Sequence, residues 1–166
     1  LFQWGRGADG HQLITWTSAT TVTAVNGTTE TLSSSDTPGN ALFITNNTDP
    51  LDWRSPKNDN LWQGVSGTNN PCPSGYRLPT KTELDAELSS WSTPNAAGAF
   101  ASPLKLPLGV RRAKLDGSFP DPNLDGYYWS STVSGTNSYF LNFNTGAGEV
   151  YPVVRAFGFS VRCIKD

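Results

Sequence analysis

Charge is scarce in this sequence. Asp, Glu, Lys and Arg make up 16% of its 166 residues and the net charge is -2, so no broad basic field exists to attract nucleic acid or an anionic membrane. No apolar run approaches the roughly 18 to 20 residues that span a bilayer, and the start carries no signal-peptide pattern. Methionine is absent and the first residue is Leu1. The chain therefore reads as a processed product or a segment of something longer, with any export signal lost upstream. Histidine is represented by His11 alone, so a Ser-His-Asp or Cys-His arrangement would have to use it, and no Gly-x-Ser-x-Gly elbow occurs. The two cysteines, Cys72 and Cys163, have no C-x-x-C or Cys/His cluster around them. They fit a disulfide better than a metal or redox pair, the alternative being two buried free thiols.

What is abundant is Thr, Ser, Asn and Gly, the composition of exported β-rich proteins, whose turns need Gly and Asn and whose strands accept Thr. The length suits a single domain over residues 1–166. Apolar clusters at Leu1-Trp4, Leu13-Trp16, Thr21-Val25 and Ala41-Ile44 predict short strands separated by turns. Residues 46–75 form a long irregular middle punctuated by Pro and Asn, with Trp53, Leu61 and Trp62 as buried anchors. The clearest helix spans about 79–91, since Thr80 and Glu83 form a capping box and Leu84, Leu88 and Trp91 recur at i, i+4 and i+7. A weaker helical turn starts at Asn95 and closes at Pro103. From Leu104 onward LKLP, GVRRAKL, GYYWSST, NSYFLNF, EVYPVVR and GFSVRCI read as strands of a terminal antiparallel sheet.

Three segments, LFQWGRGADGHQ at 1–12, NPCPSGYRLPTKTEL at 70–84, and GYYWSST with the closing GFSVRCIKD, together resemble the Fibrobacter succinogenes major paralogous domain. That bacterial exported family is related to the adhesin domain at the end of the Legionella collagen-like protein. The resemblance implies an α+β, C-type-lectin-like fold in which Cys163 reaches Cys72 just before the helix. It also implies an extracellular or cell-surface module for recognition or adhesion, with a surface glycan or protein as partner; the lack of a nucleophile-base pair or a full metal set in the sequence decides against an enzyme. In the family's opening string, His11 would stabilise a turn through a hydrogen bond. Family members usually carry a further segment before the Gln-Trp-Gly-Arg motif. Its absence here predicts an open strand slot and self-association, with the structural subunit of an extracellular filament as one alternative function and a carbohydrate-binding lectin as another.

Among candidate sites, Asp121, Asn123 and Asp125 match the first half of a calcium loop, which sets hard oxygen ligands on alternate residues around Gly126. The twelfth position is Thr132 instead of Glu, so another acidic ligand such as Asp116 would be required; a hairpin loop capped by its own Asp and Asn side chains is the competing reading. The six Trp and five Tyr provide faces that pack on sugar rings, although most are core and the calcium-loop triplets of sugar-binding lectins are missing. Arg77, Arg155 and Arg162 suggest either an anion site or internal pairs. Asn26-Gly-Thr28 and Asn46-Asn-Thr48 match the glycosylation pattern, a match that Asn- and Thr-rich chains make by chance.

Overall fold

The computed structural model describes every residue from Leu1 to Asp166. Its strands are β1 (Phe2–Gln3), β2 (Ile14–Ser18), β3 (Thr21–Ala24), β4 (Thr28–Thr29), β5 (Phe43–Ile44), β6 (Tyr76–Arg77), β7 (Gly126–Ser134), β8 (Asn137–Phe143), β9 (Gly148–Val154), β10 (Gly158–Phe159) and β11 (Ile164–Lys165); its helices are α1 (Lys81–Ser90) and α2 (Ala96–Ala101). The chain is thus α+β and β-rich, with several small sheets.

The organising layer is the antiparallel sheet β7-β8-β9. Successive side chains of a strand point to opposite faces, and this divides the core in two. Tyr127, Trp129 and Phe140 face a cluster with Trp4, Trp53, Leu61, Trp62 and Phe159. Tyr128, Leu141 and Phe143 face a second cluster with Leu84, Trp91, Ala99 and Leu106 under the two helices. The opposite placement of Tyr128 and Trp129 follows the alternation of the sequence.

Helix α1 begins where the capping box places it: the Thr80 side chain accepts from Glu83 N, and the Thr80 N–H donates to the Glu83 carboxylate. Helix α2 is a full element rather than a weak turn, because the Asn95 side chain caps both Ala97 N and Gly98 N. The long middle packs through its anchors, with Trp53, Leu61 and Trp62 all buried.

Three expectations are corrected. LKLP and GVRRAKL do not form strands; the segment keeps one isolated bridge, Arg112 to Gly158. Pro103, Pro107, Pro120 and Pro122 lack an N–H for a ladder, and Lys105, Asp121 and Asn123 adopt positive φ, so the stretch is a loop pinned by side chains. The open slot expected beside the opening motif is not there either. β1 pairs with β10, and side chains cover the remaining groups: His11 Nε2 accepts from Gln3 N, Trp129 Nε1 donates to Phe2 O, and Trp53 Nε1 donates to Trp4 O. The predicted GFSVRCI strand divides into β10 and β11, the latter pairing with β6. The Cys72–Cys163 disulfide lies beside that pair, bridging 91 positions of sequence.

Candidate functional site

Side chains that could do chemistry are largely committed to holding the fold. The sole histidine is fully buried; its Nδ1–H donates to Asp9 Oδ1 at 2.6 Å while Nε2 accepts the Gln3 amide at 3.1 Å. Burial pushes the imidazole down to about 4, against the opposing hydrogen bond to Asp9, so at neutral pH it is an uncharged structural acceptor. Both cysteines are consumed in the disulfide.

Three buried arginines work as internal ties. Arg6 pairs with Asp9 and donates to the Gln3 side chain and to the carbonyls of Asn40 and Leu42. Arg112 donates to the carbonyls of His11, Asn26 and Gly117 under the Phe43 ring. Arg155 lies over Trp4, with its guanidinium carbon 4.3 Å from the ring centroid, and pairs with Asp59 at 2.7 Å and Asp52 at 3.7 Å. Burial pushes the Asp52 carboxyl up to about 6 against the pull of Arg155. Arg77 is held by Glu83 and Asp166, and its hydrogen bond pulls Glu83 down to about 2. Of the arginines weighed as an anion site, Arg77 and Arg155 are therefore internally paired, and Arg162 is exposed. The burial of Arg112 had no sequence signal, because bonds to backbone carbonyls require no partner residue at a fixed spacing; for Arg6 the i,i+3 partner Asp9 was the available signal.

The calcium-like segment reaches the surface, with two of its three side chains turned to protein partners. Asp125 Oδ1 accepts from Asn144 Nδ2 at 3.2 Å and Asn142 Nδ2 at 3.5 Å. The Asn123 amide donates to Ala19 O, and Asp121 is exposed. Asp116 is bound to Ser118 through both the amide and the hydroxyl. No group of three or more His, Cys, Asp or Glu gathers at one point. Of the two glycosylation-pattern asparagines, Asn46 is buried with Nδ2 on Asp52 O, and Asn26 Nδ2 is on Gly10 O.

The least covered element is the β2–β3 hairpin. From Thr15 through Thr21 every residue is exposed. Trp16 pairs across the strands with Val22 on one face and Thr15 with Thr23 on the other. Five of the six tryptophans are buried; Trp16, at 39% exposure, is the other one, and Leu13 and Val25 at the base of the hairpin are also exposed. Neither β2 nor β3 has a second strand neighbour, so this arm has two open edges. Residues 12–29 contain no charged residue and no proline, the features that blunt open edges in other proteins. By contrast β9, the free edge of the main sheet, carries Glu149 and Pro152.

Two cavities flank the β4–β5 pair, one of about 210 Å³ walled by hydroxyls including Thr29, Thr31 and Ser33, the other of about 180 Å³ walled by Glu30, Thr45 and Asn46. A third, of about 260 Å³, lies between the 111–118 loop and Phe157. Comparison with protein-family models, with curated proteins and with solved structures finds no match.

Proposed function

We propose that this chain is a non-catalytic surface module for recognition and adhesion, making its contact through the β2–β3 arm. The carrying observation is the arm itself. A two-stranded hairpin is marginally stable alone and gains stability from a third strand or a covering layer, yet this one presents Trp16, Leu13 and Val25 to solvent. The engagement of His11 and of both cysteines in structural bonds supports a binding role over catalysis. A disulfide supports an oxidising compartment outside the bacterial cytosol. The C-type-lectin-like reading of the fold belongs to the same proposal. It is supported by the cross-link between the approach to α1 and the last strand, by the long irregular middle, and by the pairing of β1 with β10 near the chain's end.

Two further readings have their own observations. The uncharged open edges of the arm favour addition of a strand from a second copy, which would make the chain the subunit of an extracellular filament. Trp16 as the one exposed tryptophan favours a sugar ring stacked on the arm. A glycan array with the wild type beside Trp16→Ala tests the adhesion reading: saturable binding that the variant loses supports it, and binding that survives in the variant removes the arm from it. Light scattering over a concentration series tests assembly, with growth of mass that Trp16→Lys abolishes as the supporting result. A blank array together with a strictly monomeric wild type would overturn both. Calcium at Asp121, Asn123 and Asp125 is tested by calorimetry, where absence of heat removes it.

A further inference from the structure

We infer, resting on the arm as the contact surface proposed above, that its pairing edge is β3 and that its partner is β3 of a second copy, joined antiparallel across a two-fold axis at Thr23. Val25 N donates to Leu13 O, and the register sets Ile14 opposite Ala24, Thr15 opposite Thr23 and Trp16 opposite Val22. Bonded and non-bonded pairs alternate along an antiparallel ladder, so Leu13–Val25 and Thr15–Thr23 are bonded pairs while Ile14–Ala24 and Trp16–Val22 are not. The amides and carbonyls of Val22 and Ala24 therefore point away from β2. No other backbone group bonds to them, and the Arg112 side chain reaches only the carbonyls of Asn26 and Gly27 further along the chain.

The other free edges are less suited. The register shifts between Trp16 and Ser18, so Thr17 is bulged and breaks the even row of groups along β2, one of the devices that keep an edge from pairing. The edge of the main sheet, β9, carries Glu149 and Pro152. β3 runs from Thr21 to Ala24 without a break, and residues 12–29 hold neither charge nor proline.

The occupant follows from the sequence of that edge, Thr21-Val22-Thr23-Ala24-Val25. Turned about Thr23, Val22 of each copy lies opposite Ala24 of the other, and these two bonded pairs exchange four hydrogen bonds. Thr23, which is exposed, then meets its own image in a close non-bonded pair, where Thr opposite Thr is favourable and a charge would face its like. A charged partner strand would find no counter-charge in residues 12–29, whereas an identical strand meets no repulsion. In the resulting sheet β2-β3-β3-β2, Trp16, Val22, Ala24 and Ile14 form apolar rows on one face, and Thr15 and Thr23 of both copies form a row on the other. A lone hairpin is marginally stable, and three or more strands with an apolar face reach independent stability. The contact is isologous and closes at two copies, since the bulged β2 edge does not propagate it. Its size lies below the roughly 1,200 Å² of a stable interface, which sets the dissociation constant on the order of 0.1 to 1 mM.

The test is sedimentation equilibrium of the full chain at concentrations up to about 1 mM. The mass should rise from one chain toward two and stop there. Thr23→Lys, which sets like charges face to face on the axis, should hold the chain monomeric with its Tm unchanged, and Thr23→Val should keep the dimer. The protein has no free cysteine, so Thr23→Cys adds a single reporter thiol. Its Cα would lie about 4.5 Å from that of its image, within reach of a disulfide, and mild oxidation should cross-link two chains. Thr15→Cys, three strand spacings or about 14 Å from its image, should stay uncrosslinked. The inference is overturned by a wild type that stays monomeric throughout, by mass growing past two chains, by Thr23→Lys associating as the wild type does, or by cross-linking through Thr15→Cys in place of Thr23→Cys. A monomeric wild type whose glycan binding is lost in Trp16→Ala overturns the pairing and leaves the arm as the contact surface, so the two failures are separately visible.

Discussion

Replacing both cysteines, Cys72→Ala with Cys163→Ala, isolates the contribution of the cross-link. The bond closes a loop of 91 positions, and in the chain-entropy argument a loop of that length restricts the unfolded chain by about 4.5 kcal/mol at 25 °C. Little packing is lost at the same time, because Cys72 only flanks the core cluster. For a domain of this size each kcal/mol moves Tm by about 2 to 4 °C, so the variant should melt roughly 10 to 18 °C below the oxidised wild type. The local effect should be sharper still. β11 is held to β6 by two residue pairs, Ile164 with Arg77 and Lys165 with Tyr76, and by the Arg77–Asp166 ion pair, the last of which is exposed and contributes little. Without the disulfide, β11 should fray. Thermal melts and urea titrations of variant and wild type, with amide exchange at Ile164 and Lys165, measure both effects. A loss below about 1 kcal/mol, outside the usual range of about 2 to 4 kcal/mol for a disulfide, would refute the entropy argument and mean that the unfolded chain already holds 72 near 163.

The His11 imidazole should titrate near 4 by NMR. A histidine whose folded pKa lies below its unfolded value near 6.5 adds stability that is present above 6.5 and lost as pH falls toward 4, here up to about 3 kcal/mol. Asp52, raised to about 6, acts in the opposite direction, losing its contribution as pH rises from its ordinary value. The comparison is therefore wild type minus His11→Gln, whose stability difference should grow from pH 4 to 6.5; a flat difference would contradict the burial of a neutral imidazole. Gly126→Ala should cost about 1 to 3 kcal/mol in urea titrations, because a Cβ there would come within 2.3 Å of the Phe143 ring. An unchanged midpoint would contradict the close packing of β7 on β8.

The parts of this fold legible in the sequence are those specified by neighbours in sequence. The Thr80–Glu83 box and the Leu84-Leu88-Trp91 spacing define α1, and the alternation through Tyr127, Tyr128 and Trp129 assigns each side chain to its cluster. The anchors of the long middle were visible because large aromatics in a Pro- and Asn-rich stretch have few places to go but inward. The segment from Leu104 to Leu115 has apolar residues that fit a strand, while prolines and side-chain ties decide otherwise. The parallel pairing of β4 with β5 depends on the path of the intervening loop, which no local pattern encodes. The site follows the same division. The alternating Asp121-Asn123-Asp125 pattern was visible, but the acceptors that occupy Asn123 and the amides that occupy Asp125 come from residues far along the chain. The arm was visible as two Thr-rich strands; that no third strand joins it was not, since this depends on the whole fold.

Hydrogen exchange at the backbone amides of Ile14–Ala24 tests the arm most directly. The chain is compared alone and dilute with the chain at the concentration at which it associates, or saturated with a glycan that the array identifies. The expected result is rapid exchange along the arm in the dilute chain and marked slowing across β2 and β3 in the bound or associated state, with β9 unchanged. An arm that exchanges equally fast in both states, or protection that falls on β9 instead, would contradict contact through the β2–β3 hairpin.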